Sequence, residues 1–180
     1  IPTVAPVTPL EAGIRVERWY EAYPANRPIT SVAEGDLVRV RLRVTVRAVR
    51  NFFVLDDPLP AGLEAIDLSL RTASVGAGPG SMMGAASDSE GDDTDRSTWY
   101  YGSWDMGWWS PFDFREIRAD RVVYSATTLW PGTYTAAYIA RATTPGVFIR
   151  PPAHAEEMYN PGANGRSDGG VFTITARPPR

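Results

Sequence analysis

The sequence predicts an all-β chain folded as one antiparallel β-sandwich of about seven strands with a single long inserted loop. Three observations carry this. Val38 to Ala48 alternates apolar and polar residues with a period of two, Pro-Gly turns punctuate the extended segments, and no segment shows a convincing amphipathic helical period. With 43% hydrophobic and 22% charged residues in 180, the chain has a globular balance and is long enough for one core.

The elements follow in chain order. Pro2, Pro6 and Pro9 fix backbone angles and remove donors, so residues 1–12 are expected to be an extended linker or edge segment, with one domain over 13–180. A strand is expected from Gly13 to Tyr23. Leu37 to Ala48 is the clearest strand: Val38, Val40, Leu42, Val44 and Val46 form one face, and Arg39, Arg41, Arg43 and Arg47 the other. Asn51 to Asp57 follows, then the turn Asp57-Pro58-Leu59-Pro60-Ala61-Gly62, and Leu63 to Leu70 resumes extended structure. Arg115 to Leu129, Thr133 to Thr143, Val147 to Arg150 and Val171 to Ala176 complete the set, separated in part by Pro131-Gly132 and Pro145-Gly146. Residues 73–111 break the pattern. They are rich in Gly and Ser, then acidic (Asp88, Glu90, Asp92, Asp93, Asp95), then aromatic. The stretch from Gly76 to Asp95 is expected to be mobile, and Trp99 to Phe114 to pack down, because water is a costly environment for its four tryptophans.

Composition excludes several functions. A formal net charge of -3 supplies no basic field for a nucleic acid. The chain has no cysteine, hence no disulfide, thiolate nucleophile or Cys-based zinc site, and no apolar run of bilayer length. The start lacks both Met and a signal pattern, so the chain is expected to be part of a longer protein.

A search for catalytic chemistry finds little. His154, the one histidine, lies in Pro151-Pro152-Ala153-His154 with no G-x-S-x-G elbow elsewhere, and reads as a surface or packing residue. Asp56-Asp57 and Glu156-Glu157 could act as acid and base, but neighbours on a strand point to opposite faces, so the first pair would not converge on one substrate atom, and both pairs are expected as turn and cap residues. The acidic run lacks the spacing that wraps oxygen ligands around calcium. No metal or cofactor is expected. Cross-strand carboxylates are expected to balance the arginine stripe. Trp99, Trp104, Trp108 and Trp109 could form a stacking surface for sugars, which makes a cell-wall glycan-binding module the alternative function.

Four words in order are more specific. They are Asp57-Pro58-Leu59-Pro60-Ala61-Gly62-Leu63-Glu64, Phe114-Arg115-Glu116-Ile117-Arg118-Ala119-Asp120-Arg121-Val122-Val123, Tyr138-Ile139-Ala140-Arg141-Ala142-Thr143-Thr144-Pro145-Gly146, and Pro151-Pro152 leading to Ala155-Glu156-Glu157-Met158-Tyr159-Asn160-Pro161. From about Gly13 onward the chain resembles the last macroglobulin-like domain of the bacterial alpha-2-macroglobulins. The resemblance implies a non-enzymatic, fibronectin- or immunoglobulin-type sandwich at the C-terminal end of a long, periplasm-facing, often lipid-anchored protein that traps proteases. It also implies that this domain packs against and shields a thioester held by a separate domain until a bait region is cut. The partners are then neighbouring domains and, through the parent, target proteases, with no membrane contact by the domain itself. Met158 and Tyr159 match the family's Met-Tyr pair in the shielding loop. A flat phenol beside a flexible thioether excludes water well, as protection of a hydrolysable bond requires. The 73–111 stretch is more elaborate than the family pattern.

Overall fold

The structure, a computed structural model, describes residues 7–67 and 111–177. Among them run fourteen strands: β1 (Leu10–Ala12), β2 (Ile14–Ala22), β3 (Arg27–Pro28), β4 (Ser31–Ala33), β5 (Leu37–Val46), β6 (Arg50–Pro58), β7 (Leu63–Ile66), β8 (Phe114–Ile117), β9 (Arg121–Leu129), β10 (Gly132–Ala142), β11 (Gly146–Arg150), β12 (His154–Glu157), β13 (Asn160–Arg166) and β14 (Gly170–Thr175). They form a six-stranded sheet, β1-β13-β12-β6-β9-β8, a five-stranded sheet, β3-β2-β5-β10-β7, and a three-stranded sheet, β11-β14-β4. All named pairs are antiparallel except β14 with β4.

The period of two in β5 acts as predicted. Val38, Val40, Leu42, Val44 and Val46 are buried, and they meet Phe53 and Leu55 of β6, Val122, Tyr124 and Ala126 of β9, and Ala136, Tyr138 and Ala140 of β10 in one core. The opposite face of β5 carries the arginine stripe between β2 and β10.

Several boundaries differ from expectation for identifiable reasons. The Pro-rich start gives way at Leu10 to an edge strand, β1, on β13; the chain then passes to the other sheet at Gly13, whose φ of 83° is readily available only to glycine. The expected single strand Arg115 to Leu129 is a hairpin, because Arg118 N–H closes a turn onto Arg121 C=O at 2.9 Å and β8 pairs with β9. The segment around Met158 and Tyr159, expected as a loop from the resemblance, is a two-residue turn between strands β12 and β13. Its Asn-Pro-Gly composition hid a β12–β13 hairpin whose register shifts between Glu156 and Glu157. Gly165 permits that hairpin to dock, since a Cβ there would sit 2.0 Å from the Ile14 carbonyl oxygen.

Candidate functional site

Met158 and Tyr159 are the two turn residues between β12 and β13. β12 lies between β13 and β6, with Glu157 opposite Phe53, so the turn overhangs the start of β6. Met158 N–H donates to Phe52 C=O at 3.1 Å, continuing the ladder one step past the strand. The Phe52 and Tyr159 rings meet edge to face, with centroids 5.0 Å apart and an interplanar angle of 89°. Despite these contacts the tip stays open: Tyr159 is 78% exposed, Met158 58% and Phe52 48%. The β5–β6 and β9–β10 connections turn at the same end of the sandwich, adding exposed Val49 and Trp130. Large apolar groups grouped at one end of a domain mark an interaction surface.

A carboxylate fixes the mouth of the turn. Glu157 accepts from the Asn51 backbone N–H at 2.8 Å and from Asn160 Nδ2 at 3.2 Å, and Arg50 Nη1 lies 3.6 Å from its Oε2. The Asn51 hydrogen bond is the main reason that its pKa lies below the usual glutamate range, with desolvation opposing. Nearby, Asp113 accepts from the Thr127 N–H and is lowered for the same reason. Phe52 itself stands at φ 53°, a left-handed conformation that costs a bulky residue on the order of 1–2 kcal/mol. The other non-glycine residue with positive φ among the described residues, Asn26, belongs to a type that tolerates it.

At the far end of β6 lies the feature that sequence reasoning missed. Asp57, expected in a turn, is fully buried, with Arg18 Nη1 at 2.5 Å from its Oδ1 and the Tyr138 hydroxyl donating to Oδ2 at 2.7 Å. A second guanidinium nitrogen of Arg18, Nη2, donates to the Pro151 carbonyl just before β12. Burial pushes the Asp57 carboxyl upward, opposed by the Arg18 charge and the Tyr138 hydrogen bond; burial likewise raises the Tyr138 hydroxyl well above its ordinary value. The signal was present: Arg18 continues the inward register Ile14, Val16, Tyr20, and Asp57 continues Phe53, Leu55.

The remaining sequence candidates do not converge on this tip. Asp56 faces the opposite side from Asp57 and pairs with Arg121 at 3.1 Å. Glu156 and Glu157, expected in a turn or cap, are β12 residues. His154 is half-buried on β12 opposite Asp56. Two arginines of the stripe are balanced by cross-strand partners on β2, Arg41 by Glu21 at 2.9 Å and Arg43 by Glu17 at 3.9 Å with its guanidinium over Trp19, while Arg47, just past β5, is balanced by Glu11 of β1 at 3.1 Å. Arg39 donates to Asn26 and stacks on Tyr23. Among the described residues no group of three or more His, Cys, Asp or Glu could hold a metal ion. The acidic run and Trp99, Trp104, Trp108 and Trp109 lie outside the described residues.

Fold and site together define a β-sandwich that presents a supported aromatic hairpin tip. The sequence profile of the family described as Bacterial Alpha-2-macroglobulin MG10 domain matches residues 13–162. This chain belongs to that family. It is 33% identical over 153 residues to an alpha-2-macroglobulin homolog of Nostoc sp., covering 85% of this chain and 7% of that protein. An alpha-2-macroglobulin of Xylella fastidiosa is 29% identical over 181 residues, covering 99% of this chain and 10% of the relative. The chain thus spans a tenth or less of the length of these curated relatives. Among solved structures, Salmonella alpha-2-macroglobulin reacted with methylamine superposes with a TM-score of 0.69 at 25% identity, over 97% of this chain and 10% of that one. Native Escherichia coli alpha-2-macroglobulin from domain MG7 to the C-terminus superposes with a TM-score of 0.70 at 24% identity, over 97% of this chain and 25% of that one.

Proposed function

We propose that this chain is the C-terminal domain of a bacterial, periplasmic or envelope-bound protease-trapping protein. In that role it acts without catalysis of its own. It packs the Met158–Tyr159 tip against a neighbouring thioester domain and keeps water and small nucleophiles from the reactive bond until bait cleavage separates the two. The observation that carries the reading is the tip itself: Tyr159, 78% exposed, and Met158, 58% exposed, held on a paired hairpin. In an isolated domain such groups sit unfavourably in water; against a partner they supply a large, water-excluding contact. Membership of the alpha-2-macroglobulin family and the reaction of the Salmonella relative with methylamine make an amine the natural probe.

The test is the rate at which methylamine modifies the full-length protein. Tyr159→Ala is expected to raise that rate at least several-fold while leaving the melting temperature of the domain nearly unchanged, because an exposed side chain contributes little to the fold. An unchanged rate would remove the shielding role.

A further inference from the structure

The tip carries more support than a passive turn requires, and the support converges on one residue. Phe52 gives its carbonyl to Met158 N–H at 3.1 Å and its ring to Tyr159 at 5.0 Å, edge to face. Its neighbour Asn51 donates to Glu157, the residue before the turn, and Glu157 accepts from Asn160, the residue after it. All this is achieved with Phe52 in a left-handed backbone conformation that disfavours a bulky side chain, and with the residue 48% exposed. A ring so exposed contributes little to the core, so packing alone does not account for the strain; backbone strain of this kind concentrates where a particular presentation is needed.

We propose that Phe52 is the positioning residue of the tip, holding the Tyr159 ring in the orientation it presents to its partner. The left-handed φ turns the Phe52 ring toward the hairpin, and the edge-to-face contact then restricts the Tyr159 phenol. The partner therefore meets a ring whose rotational freedom is already reduced, which lowers the entropic cost of docking. The inference rests on the covering role only for its consequence; the restriction of Tyr159 belongs to the domain itself.

The experiment uses the full-length protein with 3-fluorotyrosine at position 159, read by fluorine NMR, alongside the rate of methylamine modification. Phe52→Leu keeps the backbone but deletes the ring. It is expected to move the fluorine signal toward that of free tyrosine, narrow it, and speed the amine reaction about 2- to 12-fold, the factor corresponding to the about 0.5–1.5 kcal/mol of an aromatic pair. Phe52→Tyr keeps the edge-to-face ring and is expected to hold both readouts at the parent values. Phe52→Gly, which relieves the strain along with the ring, is expected to match or exceed the parent's melting temperature while still speeding the reaction; a purely structural role would lower stability instead. An unmoved fluorine signal in Phe52→Leu overturns the proposal. So does an unchanged amine rate in Phe52→Leu when Tyr159→Ala accelerates it. If the fluorine signal moves but neither Phe52→Leu nor Tyr159→Ala changes the rate, Phe52 keeps its positioning role and the covering function falls.

Discussion

Arg18 and Asp57 show what a single inward charge does to a sandwich. Each stands where the period of two calls for an apolar side chain, and each is acceptable there because the other neutralises it, with Tyr138 and the Pro151 carbonyl taking further hydrogen-bonding valences. Removing one partner differs from removing both. Arg18→Met strands a buried carboxylate and is expected to cost about 3–5 kcal/mol, whereas Tyr138→Phe removes one donor and is expected to cost about 1–3 kcal/mol. The double variant Arg18→Met/Asp57→Leu is expected to recover most of the loss. Urea unfolding of the three variants checks the order, and a double variant no more stable than Arg18→Met would show that the pair is not the main interaction at either site. Both residues were legible as inward in the sequence, since the registers of β2 and β6 place them on the core face. Their mutual contact was not, because it depends on which strands of two different sheets face each other.

At the scale of elements, the strands with strong side-chain alternation were legible and those specified by backbone pairing were not. β5 announces itself through five buried aliphatics, while β12 is only four residues long, β13 contains Asn, Pro and Gly, and the two are held by β6 and β1. The Met158–Tyr159 tip could be found from its resemblance, but its support could not, because Phe52 lies more than a hundred positions away in sequence. The same pairing gives that end a pH dependence. Glu157 and Asp113 accept backbone N–H groups from Asn51 and Thr127, and both have folded pKa values below their ordinary ones. A depressed carboxylate stabilises the fold fully above its unfolded pKa, about 4.3 for Glu and 3.9 for Asp, and loses that contribution as pH falls through the folded value. The contribution of these two groups to the melting temperature is therefore expected to be full and constant between pH 7 and about 5 and to be lost below about 4. Glu157→Gln should start lower at pH 7 and show a shallower acid decline. An acid decline as steep as the parent's would mean that Glu157 does not hold the turn through its charge.

Across the whole molecule, β6 is the strand that joins the two special features. Phe52 sits at one end under the tip, and Asp57 lies five residues on, about 17 Å along a strand rising about 3.3 Å per residue. Arg18 also reaches Pro151, at the entry to β12, so the buried pair ties β6, which supports the tip, to the start of β12, which carries it, without touching the tip. That layout separates holding the fold from presenting the surface, because sites farther apart than about 10 Å with no shared partner contribute independently. Tyr138→Phe should lower unfolding free energy by about 1–3 kcal/mol with no effect on methylamine reactivity well below the melting temperature, while Tyr159→Ala should do the reverse. In the double variant the stability losses are expected to add within about 0.5 kcal/mol, and the amine rate to equal that of Tyr159→Ala alone. A larger coupling, or a faster reaction in the double variant, would mean that the buried pair sets the position of the tip through β6 and β12, and that a stability defect in the core exposes the protected bond directly.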